Sequence, residues 1–258
     1  KRQDLARFAL NDDELCADLK AQRHTLREAL SALRIDATQI LASRDTPGDV
    51  GTDTKTSEEF DRPNLHYRVQ RRTGNGYEQV RDLIRARPND AGIVYCLRRA
   101  DVDTFCQRLQ GEGFRVLPYH AGLSDVQRKK NQEAFTNERV DIIVATVAFG
   151  MGIEKSTVRY VIHAAMPKSV EHYQQEAGRA GRDGLASDCW LFYSYADLRT
   201  WQNILAKNEG EDNQVALAKL RDMFAYCDQR ACRHRALVRY FGQEHLQESC
   251  QACDVCVA

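Results

Sequence analysis

The octapeptide QEAGRAGR, from Gln175 to Arg182, places two arginines three positions apart with only small residues between them. Glycine and alanine let the backbone approach a partner closely, and a guanidinium is a rigid fork of donors that stays charged at any biological pH. An arginine that reaches a nucleotide neutralises the charge that develops as the γ-phosphate leaves, with rate effects of about 10³–10⁵. The alternative is a glycine-rich helix start whose arginines pair with surface carboxylates.

Four cysteines near the end of the sequence have the spacing C-x17-C-x2-C-x2-C: Cys232, Cys250, Cys253 and Cys256. Two successive C-x2-C steps bring three thiolates onto one turn of chain, and we expect the fourth to arrive from a helix packed nearby. Four thiolates complete a tetrahedral shell, so the spacing predicts a structural zinc site with no position for a catalytic water. The alternative ligands are Cys227, His234 and His245, and unligated core cysteines are the other interpretation.

A group of basic residues lies around Cys232, and two aromatic residues follow this group in sequence. The basic residues are Arg230, Arg233, His234, Arg235 and Arg239, and the aromatic residues are Tyr240 and Phe241. Basic and aromatic side chains together can grip a phosphate backbone and stack on bases. We therefore take Arg233 and Arg235 as candidate DNA contacts. The other interpretation is a solvated helix face with a core-facing Tyr-Phe pair.

The composition restricts the class of protein. Among 258 residues, 37 Lys and Arg balance 37 Asp and Glu, so any nucleic-acid surface must be a local patch. The longest strongly apolar run, residues 142–153, is too short to span a bilayer, and residues 1–4 contain no apolar stretch typical of a signal peptide. We expect a soluble intracellular protein, in the cytoplasm or nucleoid of a bacterium or the nucleus of a eukaryote.

The elements that must position these residues follow from hydrophobic periodicity. Residues 1–42 have leucines at helical spacing, which predicts a helical segment that packs on the next domain or pairs as a coiled coil. Residues 43–59 are polar and contain proline and glycine, which indicates a linker or surface insertion.

From about residue 60, short apolar β-rich runs alternate with amphipathic helices. Strands are predicted at 93–96, 116–119, 141–145, 160–162 and 189–193, and helices near 77–87, 100–111, 124–136 and 170–179. Nearly all-apolar strands separated by helices indicate an α/β fold, a parallel sheet covered on both faces. Ligands of such sheets bind beyond the carboxyl ends of the strands. The loops at 119–122 and 146–153 are therefore candidate phosphate-binding segments, together with the arginine octapeptide.

Taken in order, these segments resemble the RecQ family of DNA helicases. The matching pieces are FDRPN at 60–64, VYC at 94–96 with Arg98 and Arg99, YHAGL at 119–123, ATVAFGMGI at 145–153, QEAGRAGRDG at 175–184 and the four cysteines. The resemblance covers about residues 60–258 and is specific, because several motifs and a four-cysteine site occur in one order. It also implies roles in DNA repair and recombination.

The resemblance implies a second RecA-like lobe over residues 60–205 and a helical zinc-binding subdomain over residues 206–258. In this family two lobes clamp ATP and Mg²⁺, and hydrolysis drives 3′ to 5′ translocation along single-stranded DNA next to a duplex. Arg182 resembles the arginine finger at the γ-phosphate, Arg179 its neighbour at the same phosphates, and Gln175 a polar contact of that network.

The resemblance also carries over to the remaining site residues. His120, Thr146 and Gly150 lie in loops that resemble the family's contacts to the single-strand backbone. The four cysteines match the family's zinc ligands. Glu154 stands where Asn or Asp is more usual, and Ala165 stands at a commonly acidic position, which concerns the coupling between the lobes.

The sequence departs from the family in the nucleotide-binding motifs. It contains no G-x-x-x-x-G-K-[ST] pattern, and no Asp-Glu-x-His follows a strand. We therefore expect ATP and Mg²⁺ to bind only together with an absent first lobe, whose last helix residues 1–14 faintly resemble. The chain alone should hydrolyse little or no ATP.

Two other functions compete with this interpretation. The chain is either half of a helicase core or a non-catalytic DNA-binding or regulatory module that kept the scaffold and lost the motor. A superfamily 2 RNA helicase lobe would share the Q-x-x-G-R-x-x-R signature but would not explain the cysteines.

Overall fold

The computed structural model describes residues 62–146, 155–207, 212–243 and 249–257. The chain divides into two units, Lys1–Asp53 and Thr54–Ala258, and every described residue belongs to the second. The predictions for the N-terminal helical segment, the linker and Gly150 lie outside the described residues.

Six strands form one sheet: β1 Leu65–Arg71, β2 Ala91–Tyr95, β3 Val116–Tyr119, β4 Ile142–Ala145, β5 Val158–His163 and β6 Ser187–Tyr193. Their order is β1-β6-β5-β2-β4-β3, and every neighbouring pair is parallel. The predicted parallel sheet is confirmed, and five of its strands fall where the apolar runs placed them. Strand β1 was not predicted; it is an edge strand in which buried and half-buried residues alternate.

Seven helices are described: α1 Tyr77–Arg85, α2 Arg99–Gly111, α3 Asp125–Thr136, α4 Val170–Ala177, α5 Tyr195–Leu205, α6 Asp212–Asp228 and α7 Arg233–Tyr240. The four predicted helices correspond to α1 through α4. The side chain of Ser124 accepts a hydrogen bond from the Gln127 backbone at the start of α3, as its capping sequence predicts. Within the described part of the chain, no helix is both long and apolar enough to cross a membrane.

The two faces of the sheet pack against different helices. Ile93 and Tyr95 belong to a core cluster that includes buried residues of α3, α4, α6 and α7. Val94, one position between them, belongs to the opposite cluster with buried residues of α1 and α2. Successive side chains of a strand point to opposite faces, so both faces of the sheet are covered by helices, as predicted.

The cysteine-containing region packs directly on the sheet. Cys232 and Cys253 belong to the same buried cluster as Leu65 and Tyr67 of β1. The backbone of Asp254 also donates a hydrogen bond to the Tyr67 carbonyl at 3.0 Å. Residues 212–243 and 249–257 therefore share a core with the sheet, and the predicted domain boundary between 205 and 206 stays a prediction.

Candidate functional site

The octapeptide forms the end of α4 and the tight turn after it. At Gly178 an added Cβ would lie 2.9 Å from the Gln174 carbonyl oxygen. Gly181 has φ +55°, and its Cβ would lie 2.5 Å from Nδ2 of Asn64. Both positions exclude a side chain, and the second also needs the left-handed backbone that glycine adopts without strain. The two glycines are therefore required by the turn itself, and the arginines lie in the turn after α4 rather than at a helix start.

The three octapeptide side chains differ in exposure. Gln175 and Arg182 are exposed, whereas Arg179 is buried. Gln175 lies on α4, whereas Arg179 and Arg182 lie in the turn that follows it. The structure thus gives Arg182 access to a partner and holds Arg179 within the protein.

A group of buried side chains from three elements lies beneath these arginines. Nε2 of His163, at the end of β5, lies 2.8 Å from Oε2 of Glu176 on α4. The ring of Tyr95, at the end of β2, stacks on His163 with centroids 5.1 Å apart. Burial raises the pKa of Tyr95, and Glu176 raises it further, while its hydrogen bond with Arg179 and the charge of Arg182 act in the opposite direction. Tyr95 is therefore a neutral hydroxyl beside Arg179.

The segment before β1 holds the arginine turn from the outside. Nη2 of Arg62 donates to the Gly181 carbonyl at 2.8 Å, and Nδ2 of Asn64 donates to the same oxygen at 2.9 Å. No role was predicted for these two residues or for the group formed by Tyr95, His163 and Glu176. The one sequence signal for Arg62 and Asn64 was that they belong to the FDRPN segment, which is among the motifs that resemble the family.

The four predicted zinc ligands lie together. The Sγ atoms of Cys232, Cys250, Cys253 and Cys256 all lie within 4.8 Å of one another. A tetrahedral zinc ion with Zn–S bonds of about 2.3 Å requires sulfur atoms about 3.8 Å apart, so the arrangement fits this metal. Cys232 immediately precedes α7, and the other three lie on the turn at 249–256, as the spacing predicts.

Backbone groups support these thiols. The Cys253 amide donates to Sγ of Cys250 at 3.3 Å, and the Arg233 amide donates to Sγ of Cys253 at 3.5 Å. Burial raises the pKa of Cys232. Burial also opposes ionisation of Cys256, but hydrogen bonds from the Cys250 backbone and the Ser249 hydroxyl outweigh it and lower the pKa of Cys256 to about 6. The set therefore includes a thiol poised to ionise, the form that binds zinc.

Two of the alternative zinc ligands, Cys227 and His234, do not belong to the four-cysteine cluster. Cys227 is buried in the core outside the cluster, and burial raises the pKa of its thiol. Nε2 of His234 lies 2.9 Å from the Leu65 carbonyl oxygen. His245 lies outside the described residues.

Arg233 is not on the surface, contrary to the expectation that it contacts DNA. Its side chain is 5% exposed, and its Nε and Nη2 donate to the two carboxylate oxygens of Asp254 at 3.0 and 3.2 Å. Its Nη1 donates to the Tyr226 carbonyl at 2.6 Å. Arg233 therefore joins α6, α7 and the cysteine turn, whereas Arg235 on the same helix is half-buried. The sequence shows that α7 contains several basic residues, but it does not show which of these side chains are buried in the fold.

His120 and Thr146 lie side by side at the carboxyl ends of β3 and β4, where Tyr119 pairs with Ala145. The Thr146 amide donates to the Tyr119 carbonyl at 3.2 Å. His120 is 5% exposed, its Nδ1 accepts from the Gly122 amide at 3.1 Å, and its Nε2 lies 3.0 Å from Oδ1 of Asp103. Because Nδ1 accepts, Nε2 carries the proton and donates to the carboxylate.

The candidate DNA contacts fall into two groups. His120 and Thr146 directly follow β3 and β4 at one edge of the sheet, whereas Arg235 belongs to the region packed on β1 at the other edge. Neighbouring strands are about 4.8 Å apart, so the edges are separated by about 24 Å. The structure does not bring the two groups into one compact site.

Two family models match consecutive parts of the chain. The helicase conserved C-terminal domain matches residues 75–184, and the RecQ zinc-binding domain matches residues 195–257. The first range includes the arginine octapeptide and the second includes the four cysteines. A model of the ThiD2 family matches residues 2–86, of which the structure describes only the last part, including β1 and α1 of the parallel sheet.

Curated relatives agree with these two models. The ATP-dependent DNA helicase RecQ of Pasteurella multocida is 41% identical over 199 residues, covering 77% of this chain and 31% of that protein. The corresponding Bacillus subtilis protein is 41% identical over 199 residues, covering 76% of this chain and 33% of its own length. The RecQ-like DNA helicase BLM of Xenopus laevis is 37% identical over 283 residues, covering 98% of this chain and 21% of that protein. The chain spans about a third or less of these relatives.

Among solved structures, the C-terminal domain of the DEAD-box protein Dbp5 has a TM-score of 0.46 at 18% identity, covering 55% of this chain and 83% of that one. Dbp5 of Saccharomyces cerevisiae bound to RNA and ADP BeF3 has a TM-score of 0.49 at 17% identity, covering 72% and 52%.

The two family models match consecutive ranges of the chain, in the order of the motifs in this sequence. The helicase C-terminal domain accounts for the RecA-like parallel sheet with helices on both faces, and the zinc-binding model accounts for the four clustered cysteines, which form a structural zinc site. The chain belongs to the RecQ family of DNA helicases, of which it contains the helicase C-terminal domain and the zinc-binding region.

Proposed function

We propose that the chain supplies the C-terminal half of the core of an ATP-dependent 3′ to 5′ DNA helicase, with Arg182 as its arginine finger. The observation that carries this proposal is the exposed Arg182 at the end of a turn whose backbone carbonyls accept hydrogen bonds from the half-buried side chains of Arg62 and Asn64. Such a guanidinium can meet a phosphate without reorganising its own loop, which is the arrangement that stabilises transition-state charge. The relatives' names as ATP-dependent DNA helicases support the choice of reaction.

The octapeptide side chains take different roles in this mechanism. Arg182 reaches the γ-phosphate of an ATP held by the other lobe and neutralises charge as the phosphate leaves. Arg179, buried beside the Tyr95 hydroxyl, fixes the turn and contributes positive charge to the same phosphates. Gln175, exposed on α4, offers an amide as a polar contact to this network.

The single-strand track lies at the carboxyl ends of the strands. Thr146 and the loop backbone at His120 are proposed to contact DNA phosphates, with Gly150 extending the same surface. Arg235, half-buried on α7 next to the zinc site, is proposed as a separate DNA contact. His120 acts through the position it gives its loop, because its ring is buried and bonded to Asp103.

ATP hydrolysis requires groups that the octapeptide does not provide. An arginine finger cannot replace a phosphate-binding lysine or a carboxylate that holds Mg²⁺. We therefore infer that these 258 residues alone hydrolyse little or no ATP. ATP turnover by the isolated chain at a rate comparable to that of an intact RecQ helicase would contradict this division of the site.

A chimera tests the proposal directly. Residues 62–257 replace the matching segment of the Bacillus subtilis relative, and ATP turnover is measured with and without single-stranded DNA. We expect DNA-stimulated turnover, a loss of about 10³-fold or more in kcat for Arg182→Ala, and unwinding of duplexes with a 3′ rather than a 5′ overhang. Arg139→Ala removes an exposed arginine after α3 and serves as the control.

The outcomes separate the competing functions. A chimera that binds DNA but shows no ATP turnover would favour the non-catalytic DNA-binding or regulatory module. Equal losses for Arg182→Ala and Arg139→Ala would show that charge in general, and not the finger, supports turnover.

A further inference from the structure

We propose that Arg62 and Asn64 are positioning residues that orient the arginine finger by clamping the carbonyl groups of its turn. This inference rests on the proposed function and deepens it, because it assigns the FDRPN segment to the same reaction. Neither residue contacts the nucleotide in this proposal. Both act through the backbone that carries Arg182.

The clamp consists of two side chains that donate to the same oxygen. Nη2 of Arg62 donates to the Gly181 carbonyl at 2.8 Å and to the Ala180 carbonyl at 3.2 Å. Nδ2 of Asn64 donates to the Gly181 carbonyl at 2.9 Å and to the Leu185 carbonyl at 3.0 Å. The two side chains also contact each other, with Nε of Arg62 3.4 Å from Oδ1 of Asn64. Three carbonyls of the turn are thus held by two side chains.

The clamped carbonyls belong to the turn beyond α4, which ends at Ala177, and the Gly181 carbonyl also accepts from the Gly184 amide at 3.0 Å. Gly181 is held from the other side too, because its amide donates to the Val158 carbonyl at the start of β5 at 2.9 Å. Both peptide groups of Gly181 are therefore fixed, and Arg182 is the next residue. A shift of this glycine would move the Arg182 Cα directly.

The shape of the turn and the clamp are matched. A Cβ on Gly181 would lie 2.5 Å from Nδ2 of Asn64 and 2.8 Å from Oγ of Ser187, so the amide occupies the space that a side chain would need. The Asn64 carbonyl accepts from the Ser187 amide at 2.9 Å, which fixes the residue at the entrance of β1. The clamp is therefore anchored on the sheet and not on a mobile partner.

Positioning matters because a displacement of about 1 Å at a reacting group can cost about 10²-fold in rate. Asn64→Asp keeps the size of the side chain but turns a donor into a carboxylate oxygen that faces two carbonyls. We expect kcat of the chimera to fall by about 10- to 100-fold, while KM for ATP and affinity for single-stranded DNA change less than about threefold. Arg62→Lys keeps the charge but loses the fork, and should give a smaller loss in kcat.

A matched control separates positioning from loss of stability. Gln110→Glu makes the same amide-to-carboxylate change opposite the Val116 carbonyl, which Nε2 of Gln110 contacts at 2.9 Å on another part of the sheet. Its kcat should equal that of the unsubstituted chimera. Zinc content and thermal unfolding are recorded for each variant.

The decisive comparison uses the finger itself. If Asn64 acts through Arg182, then Asn64→Asp should cause no further loss of kcat in an Arg182→Ala background, because the group it positions is gone. Full additivity of the two losses, or an unchanged kcat for Asn64→Asp in an active chimera, would overturn the inference. An unsubstituted chimera without ATP turnover would instead overturn the proposed function, and this inference with it.

Discussion

Replacing Asp254 by asparagine should detach the cysteine turn from the sheet at a measurable cost in stability. The carboxylate of Asp254 lies between two ligands of the zinc site in sequence and bonds two different elements. Its Oδ2 accepts from the Val69 amide of β1 at 3.0 Å, and its two oxygens receive Nε and Nη2 of Arg233 at 3.0 and 3.2 Å. The substitution keeps the volume and removes the charge.

The magnitude follows from the burial of the partner. The Arg233 side chain is 5% exposed, and breaking a buried ion pair by removing one partner typically costs about 3–5 kcal/mol. Asparagine has a single side-chain oxygen, which can face either Arg233 or the Val69 amide. The buried donor that is left without an acceptor costs about 1–3 kcal/mol. Arg233 keeps its bond to the Tyr226 carbonyl, which offsets part of the loss. We expect a net loss of about 3 kcal/mol.

The assay is urea unfolding of the chain at a fixed free zinc concentration, since a bound metal contributes to apparent stability. Two tryptophans, both in the described part, report the transition by fluorescence. Asp82→Asn, which removes an exposed carboxylate paired with Arg81, is the control and should leave the midpoint unchanged. A loss below about 1 kcal/mol for Asp254→Asn would refute the assignment of a buried, charge-dependent link.

Three further predictions follow from other contacts. Chelation of zinc, or Cys253→Ser, should increase amide exchange after residue 212 and also in β1, because both share one core; protection of β1 unchanged by either treatment would contradict this. Tyr95→Phe should lower kcat of the chimera several-fold by removing the hydroxyl beside Arg179, whereas Tyr160→Phe, on the opposite face, should not; equal effects would exclude the role. Partial burial opposes ionisation of Glu171, but hydrogen bonds from Lys219, Ser169 and Tyr240 lower its pKa to about 2. The ionised carboxylate therefore stabilises the fold above pH 4.5, and this contribution is lost as the pH falls towards 2. Glu171→Gln should flatten the acid dependence of the unfolding free energy in this range, and an unchanged slope would refute the prediction.

The sheet and the zinc ligands could be predicted because their signals are local. Central strands such as Ile142–Ala145 are buried on both faces and read as continuous apolar runs. Three of the four cysteines are within six residues of one another in sequence, so their proximity follows from the chain itself. The edge strand β1 was missed because Arg68 and other polar residues alternate with its buried ones, and this short pattern carries less information than an apolar run.

The supports of the arginine turn could not be predicted, because their contacts join distant parts of the chain. Asn64 and Gly181 are 117 residues apart in sequence, and nothing local indicates that they meet. The burial of Arg233 could not be predicted for a different reason. Its sequence neighbours are charged, and only the packing of α7 decides which of those charges faces Asp254 and which faces solvent.

Strand β1 connects the two functional regions. Arg62 and Asn64, just before the strand, clamp the arginine turn, while Tyr67 and Val69, within it, bond Asp254 of the cysteine turn. The strand could therefore act as a rigid link that transmits a change at the zinc site to the finger. Alternatively, it could provide two independent attachment points on one edge of the sheet.

The structure favours independence, and a double-substitution cycle tests it. Asn64 and Val69 are five residues apart, about 16 Å along an extended strand, and the partners of Asn64 are not partners of Asp254. Seven parallel residue pairs with β6, from Leu65 to Arg71, also hold β1 in register. The losses in unfolding free energy for Asn64→Asp and Asp254→Asn should therefore add to within about 0.5 kcal/mol. A coupling of about 1 kcal/mol or more would mean that the two attachment points of β1 are not independent.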